Sequence, residues 1–374
     1  MADAAEESSS SAAAAAAEEE EAEAEVVVIV VGAGPSGLAT AACLAVRNSP
    51  PSPSPPNPPS APIFLPRALF VRYLDAYAAR FGVIPPRLRL RRRVDAAAFD
   101  AAAGAWRVAA TDLATGAKES YAARYLVAAT GANAEAVVPE ILGLEGFPGP
   151  VLHSSRFRSG SEYKGKAVLV VGGGNSGMEI ALDLAESGAK TSIVVRSPLH
   201  LVTREIWLLG MHLRKFLPLY LVDALALFLC YLKFGDTSKY EIHRPTKGPF
   251  YLKANSPVFP VMDVGTFDKI KAREIQVLPS ITRINSNSVT FANGKVEYFD
   301  AIILATGYRA TTKEWLKGDD YLIDDDSMAK QKYPNNWKGK NGLYCAGLGR
   351  RGIPGTSEDA LKIAKDIYES SCCE

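Results

Sequence analysis

Strand-length apolar runs that end in glycine-rich turns, followed by stretches with helical period, set the organisation of this chain. From Val26 the sequence reads VVVIVVGAGPSGLATAACLA: a buried strand, then Gly32-x-Gly34-x-x-Gly37, then a small-residue helix through Leu44. The same order returns at Val168–Val171, where a second strand runs into Gly172-x-Gly174-x-x-Gly177. A helix carrying Met178, Ile180, Ala181, Leu182 and Leu184 follows, Ser187-Gly188 closes it, and Thr191–Val195 supplies another strand. Leu69–Phe81 has a helical period that Gly82 stops, while Trp106–Thr111 and Tyr121–Ala128 read as strands joined through Gly116. Tyr121–Ala128 runs into Ala129-Thr130-Gly131, and Asp300–Leu304 runs into Ala305-Thr306-Gly307-Tyr308. A strand followed by A-T-G twice predicts that the chain crosses between domains at both points. The fold class expected is α/β, two Rossmann-like dinucleotide-binding domains with the second inserted in the first. The boundaries expected are 26–160 with 290–374 for one domain and 161–289 for the other.

The three glycines of such a unit differ in what they do. The first makes the tight turn, the second lets backbone approach a pyrophosphate, and the third allows helix and strand to pack closely. The phosphate sits on the helix N-terminus, where free N–H groups and the macrodipole favour an anion. Asn175 and Ser176 occupy that position in the second unit, and Thr130, Gly131, Thr306 and Gly307 lie where the strands of the two domains end. All are candidate cofactor-binding residues together with the six glycines. An acidic residue at the end of the second strand would bind the ribose hydroxyls of NAD, but the chain has Arg196-Ser197 there, which suits the 2′-phosphate of NADP. The alternative is that Arg196 only solvates a strand end; Arg204 is a second candidate phosphate partner.

The first unit departs from its pattern after Arg47. Asn48–Pro62, NSPPSPSPPNPPSAP, favours extended solvated backbone and makes no central strand. No Asp or Glu occurs between Glu25 and Asp75, so the ribose ligand expected about 20 residues past the glycines is missing.

With 374 residues there is room for two cores, and a formal net charge of +1 gives no bulk attraction to nucleic acid. Arg87–Arg93, RLRLRRR, alternates leucine with arginine as a strand with one wet face does. Five cysteines show no metal spacing and no C-x-x-C, so no metal site is expected and the thiols read as reduced and cytosolic. Met1–Glu25, rich in alanine, serine and glutamate, is expected to be disordered, and without an apolar segment it does not read as a leader, which points to the cytoplasm. Leu217–Phe234 is the one apolar stretch long enough to raise the question of a membrane span; Asp223 and Pro218 argue against one, and a buried helix or a substrate-access lid is expected, with interfacial contact with a membrane as the alternative.

Between the two glycine units lies Phe147-Pro-Gly149-Pro-Val-Leu-His153-Ser-Ser-Arg-Phe157. Its F-x-G-x-x-x-H-x-x-x-F spacing, with Leu304-Ala-Thr-Gly-Tyr308, resembles the identifying motif of flavin-containing monooxygenases. Val127-Ala-Ala-Thr-Gly-Ala-Asn133, the Pro139-Glu-Ile-Leu-Gly-Leu stretch and Arg350-Arg-Gly-Ile-Pro-Gly-Thr-Ser-Glu-Asp-Ala are similar to plant YUCCA enzymes, the indole-3-pyruvate monooxygenases of auxin synthesis. The resemblance covers about Val26–Arg47 and Phe70–Ile367. It implies FAD on Gly32, Gly34 and Gly37, NADPH on Gly172, Gly174 and Gly177, and oxidative decarboxylation of a 2-oxo acid by reduced flavin and O2. It further implies that a strand ending in Glu-Arg and a Trp-containing segment are absent, the proline tract standing in their place. Asn133 is a candidate for a hydrogen bond near the flavin or the nicotinamide. His153 is a candidate either for proton transfer or for a structural bond between backbone segments.

Two other readings stay open. A pyridine-nucleotide disulfide reductase shares the architecture, but its redox cysteine pair is missing, and adjacent Cys372-Cys373 is a poor substitute. A degenerate member of the family would bind NADP(H) through its intact second unit and act as a binding or regulatory protein.

Overall fold

The structure, a computed structural model, describes residues 24–46, 64–85, 87–256 and 258–372. The proline-serine tract and most of the acidic tail lie outside them; Ala24 and Glu25, expected in the tail, already belong to the first strand. The chain forms two compact units, one from the chain up to Ala134 together with the part from Arg309 onward, the other Glu135–Tyr308.

In the first unit, β1 (Ala24–Val31) leads to α1 (Pro35–Ala45), then α2 (Arg67–Arg80), β2 (Arg92–Asp100), β3 (Ala105–Asp112) and β4 (Lys118–Ala128). The pivot is β4. Along one edge it pairs in parallel with β1, from Ala24↔Tyr121 to Val31↔Ala128. Along the other, its first half pairs antiparallel with β3. Leu126, Val127 and Ala128 are wholly buried, as befits a strand covered on both faces. Among the described residues, no strand pairs with the free edge of β1.

The basic run Arg87–Arg93 does not form the strand its alternation predicts. Leu90 and Arg91 make a turn, with Arg91 at φ 60°, and β2 begins only at Arg92, where the partner strand β3 ends at Asp112. The arginines are used locally: Arg92 bridges Asp112 and Glu119, each at 3.0 Å, and Arg89 donates to the Tyr121 hydroxyl at 2.8 Å.

The second unit holds β5 (Val151–His153), β6 (Ala167–Val171), α3 (Asn175–Glu186) and β7 (Lys190–Val194), then α4 (Arg204–Leu213), α5 (Leu219–Phe234) and α6 (Pro249–Asn255). They are followed by β8 (Ile275–Leu278), β9 (Ile281–Asn285), β10 (Ser288–Phe291), β11 (Val296–Tyr298) and β12 (Ala301–Leu304). Five of these strands make an all-parallel sheet in the order β8-β7-β6-β12-β5. Side chains alternate across it: Val168 and Val170 pack with Met178, Ala181 and Leu184 of α3, while Leu169 and Val171 pack with Ile284, Val289 and Phe291 of the antiparallel β9-β10-β11 layer. With both faces covered, each such Val, Leu or Ile contributes about 1.5–3 kcal/mol of burial, which is why these strands read as unbroken apolar runs.

The unit boundaries fall at Ala134 and Tyr308, not at the expected 160 and 290. β5 and β12 lie in the parallel sheet of the second unit, with Leu304 opposite both His153 and Val171, so the stretches that carry them belong there. The chain returns to the first unit after Tyr308 and adds α7 (Thr312–Trp315), β13 (Leu343–Cys345) beside the end of β4, and α8 (Gly352–Cys372), which packs on α1.

Most of Leu217–Phe234 is a helix, α5 from Leu219, but not a buried one: it buries one face and exposes the other. Among the described residues no helix is long and apolar enough to cross a membrane.

Candidate active site and its nucleotide cradles

In the second unit the turn after β6 places Gly172 at φ 121°, where a Cβ would sit 2.4 Å from the Ala305 carbonyl oxygen. Gly177 lies so close that a Cβ would meet the Gly172 carbonyl at 1.8 Å. Gly174, by contrast, faces open space, with nothing within 4 Å of a Cβ position. It is the N-cap of α3, and no side chain caps that end. The first N–H groups of the helix therefore lack intrahelical partners, beside the open space at Gly174. The residues present here fit a pyrophosphate.

The first unit repeats the construction. Gly32 has φ 121° and abuts the Ala129 carbonyl at 2.3 Å, Gly37 would clash with the Gly32 carbonyl at 1.8 Å, and Gly34 is open. Here Pro35 takes the first helical position, so one N–H donor is missing.

At the end of β7, Arg196 and Ser197 are exposed, and Arg196 makes no ion pair among the described residues. Ser176 is exposed on the first turn of α3. The Asn175 side chain is committed elsewhere: its amide donates to the Pro260 carbonyl at 3.3 Å and accepts the Met262 N–H at 2.8 Å, leaving its backbone N–H for an anion.

Both A-T-G turns are tied to their own sheets. In the first unit the Ala129 N–H donates to Val31, the hydroxyls of Thr130 and Thr312 are 2.9 Å apart, and Gly131 takes φ 76°. Asn133 follows, exposed in the loop after β4. In the second unit the Ala305 N–H donates to Val171, the Thr306 hydroxyl donates to the Val137 carbonyl, and Gly307 has φ 86°.

His153 closes this second turn. It is buried, and its Nδ1 accepts the Ser155 N–H at 3.2 Å. The proton therefore sits on Nε2, which donates to the Gly307 carbonyl at 3.0 Å. Tyr308 stacks edge-on at 4.9 Å. Both ring nitrogens are engaged within the protein, an arrangement that fixes the A-T-G-Y turn rather than one that presents a base.

One group was not legible as a site. Beside Gly37's helix, the Ser36 hydroxyl lies 3.3 Å from Thr356, and a Cβ on Gly347, at φ 76°, would fall 2.1 Å from it. The Gly347 N–H donates to Asp359, which is 1 % exposed and also receives the Asn336 amide at 3.3 Å. Burial holds the Asp359 carboxyl above the usual carboxylate range. The one signal in the sequence was the tail Arg350–Ala360, which contains Thr356 and Asp359. An open groove of about 760 Å³ lined by Pro139, Ile141, Leu142, Phe147 and Val151 lies at the N-terminal ends of the parallel strands, whereas nucleotides bind at the carboxyl ends.

The redox thiols of a disulfide reductase are not seen among the described residues: Cys43, Cys230 and Cys345 are free and buried. Burial pushes Cys43 and Cys230 each up to about 11 and Cys345 higher, so none is a ready thiolate. No cluster able to hold a metal ion occurs among the described residues.

The family profile for pyridine nucleotide-disulphide oxidoreductases matches residues 110–210. The chain is 42 % identical over 369 residues, 90 % of this chain and 96 % of the relative, to the probable indole-3-pyruvate monooxygenase YUCCA10 of Arabidopsis thaliana. The chain belongs to the YUCCA family of indole-3-pyruvate monooxygenases. It is likewise 42 % identical over 374 residues to the indole-3-pyruvate monooxygenase YUCCA1 of Oryza sativa subsp. japonica, covering 90 % of each chain. Among solved structures it is similar to a flavin-containing monooxygenase from Stenotrophomonas maltophilia, with 21 % identity, TM-score 0.65, and coverage of 94 % of this chain and 100 % of that one. The bacillithiol disulfide reductase of Bacillus cereus, at 19 % identity and TM-score 0.61 over 92 % and 99 % of the two chains, shares the fold. The YUCCA family consists of NADPH-dependent flavin monooxygenases, with FAD and NADPH as cofactors. The 369 positions aligned with YUCCA10 exceed the 90 % of this 374-residue chain that takes part, so the relative carries residues that this chain lacks.

Proposed function

We propose that the protein converts indole-3-pyruvate, NADPH, a proton and O2 to indole-3-acetate, CO2, water and NADP+, the oxidative decarboxylation that supplies auxin. What supports this is the pair of matching cradles, with Gly32 and Gly172 in the same left-handed turn and Gly34 and Gly174 both open, in a chain of this family. Gly32, Gly34 and Gly37 hold the FAD pyrophosphate; Gly172, Gly174, Gly177 and the first N–H groups of α3 hold that of NADPH. Bound FAD supplies the redox chemistry, taking hydride from NADPH and activating O2. Arg196 and Ser197 select the 2′-phosphate. Thr130, Gly131, Thr306 and Gly307 shape the strand ends near the nucleotides, Asn133 donates a hydrogen bond to flavin or nicotinamide, and His153 positions the Gly307 turn.

A second reading has its own observation. No Asp or Glu stands between Glu25 and Asp75, so FAD lacks the carboxylate for its ribose, and the chain on this reading binds NADP(H) without turnover. Purified protein supplied with excess FAD, NADPH and indole-3-pyruvate separates the two. Indole-3-acetate formed in step with NADPH consumed supports the oxygenase; no product at saturating FAD supports the binding protein.

A further inference from the structure

We infer that the outward face of α5, with the end of α4 and Tyr251 of α6, is a lipid-binding face that lies in the headgroup region of an anionic phospholipid membrane. The buried positions of α5 are Val222, Asp223, Ala226, Cys230 and Phe234, the four-residue spacing of one helical face. Its outward face carries Tyr220, Leu221, Leu225, Phe228, Tyr231 and Leu232, with Tyr220 71 %, Phe228 57 % and Leu232 64 % exposed. A water-facing helix surface is ordinarily polar, and a contiguous exposed apolar one marks a binding face. Leu209, Met211, Phe216 and Leu217 extend it along α4 and the turn that follows.

Charge decides the occupant. Between Ile206 and Lys233 the sole carboxylate is Asp223, and it is buried, accepting the N–H groups of Phe250 and Tyr251 at 2.8 and 3.1 Å. Glu205 and Asp236 stand just outside that stretch, near Lys233 and Arg244, and further cations lie beside aromatic rings of this region. The Arg244 guanidinium is 6.0 Å from the Tyr231 ring, and the ammonium groups of Lys247 and Lys253 are 5.5 and 4.3 Å from Tyr251 and Phe259. Burial, with the charge of nearby Arg214 added, holds the Lys253 ammonium below its usual range. A second copy meeting this face across a two-fold axis would bring these cations against each other. Anionic headgroups complement them, and each Lys or Arg near such a surface adds attraction. Tyr220 and Tyr231 have the amphipathic rings that favour the interface. With 16 residues α5 is about 24 Å long, too short to span a bilayer but suited to lying in its plane.

The test is flotation of the purified full chain with phosphatidylcholine vesicles, with and without phosphatidylserine. The chain is expected to float with the anionic vesicles and to be released as ionic strength rises from roughly 0.1 to 0.5 M. Phe228→Ser with Leu232→Ser should lower partition about a hundredfold, and Arg214→Gln with Lys253→Gln about tenfold. All four side chains touch no nucleotide cradle, so NADPH binding and the thermal midpoint serve as controls for folding. Failure of the native chain to bind anionic vesicles at low ionic strength overturns the proposal, as does partition that neither double variant changes. A concentration-dependent dimer in light scattering that Phe228→Ser with Leu232→Ser abolishes also overturns it, because a second copy would then be the occupant.

Discussion

Replacing Arg196 by alanine is the perturbation that isolates nucleotide choice. The side chain leaves the end of β7 exposed, with no carboxylate partner among the described residues, so its removal leaves no buried charge behind and does not disturb the parallel sheet. What it loses is a charge-assisted contact to the 2′-phosphate, about 1.5–3 kcal/mol. Because the site is open to solvent and screened by salt, the lower end applies, about a tenfold weaker dissociation constant. NADH carries no 2′-phosphate and should bind unchanged. The assay is calorimetric titration of NADP+ and NAD+ into native and Arg196→Ala protein, which reads binding without needing turnover. The NADP+ loss should shrink as salt is raised. Equal weakening of both nucleotides, or none of either, refutes the assignment and leaves Arg196 as a solvated strand end.

Gly177→Ala would drive a methyl group into the Gly172 carbonyl at 1.8 Å; NADP+ binding should fall at least about tenfold and the thermal midpoint should drop, since backbone must shift. His153→Ala removes the donor to Gly307 and the acceptor for Ser155 from a buried site, and should cost about 2–4 kcal/mol in denaturant unfolding; a variant that remains fully stable while losing product formation would restore a proton-transfer role. Asp359 has its folded-state pKa raised by burial, so it binds its proton more tightly folded than unfolded, and its contribution to stability is present in acid and lost as pH rises through the folded value. Asp359→Asn should therefore flatten the dependence of the thermal midpoint on pH in the acid range, with the new amide able to donate to the unpartnered Asn336 Oδ1; an unchanged pH profile would show that Asp359 is not the responsible group.

The two glycine units were legible because their information is local: a strand, a turn and a helix within some thirty residues, each glycine answering to one neighbour. The A-T-G ends of β4 and β12 were legible for the same reason, and they mark the crossings more closely than the expected boundaries at 160 and 290. What stayed hidden depends on distant partners. The Ser36–Thr356 contact and the Asp359–Asn336–Gly347 cluster depend on side chains that meet only once the chain has folded, the first pair across most of its length. The turn at Leu90–Arg91 was missed because alternation alone does not say where a partner strand ends. In α5 the apolar run gave no indication of burial: hydropathy is the same whether Phe228 faces a core or the outside. The engagement of both His153 nitrogens likewise needs the Gly307 turn in place.

On the reading developed above, this chain has two phosphate cradles of the same glycine construction, the first short of one N–H donor at Pro35, and only one complete nucleotide site. Residues 47–63, which follow the first cradle, lie outside the described part of the structure, and their sequence offers no carboxylate to a ribose. Two hydrogen bonds to such a carboxylate contribute on the order of 1.5–3 kcal/mol each, so FAD should bind several powers of ten more weakly than in a relative that has them. The direct measurement is equilibrium titration of the purified full chain with FAD and with NADP+, together with its visible spectrum as isolated. Protein that purifies with substoichiometric flavin and binds NADP+ far more tightly than FAD is the predicted result; protein that purifies yellow with one tightly held FAD per chain would contradict it.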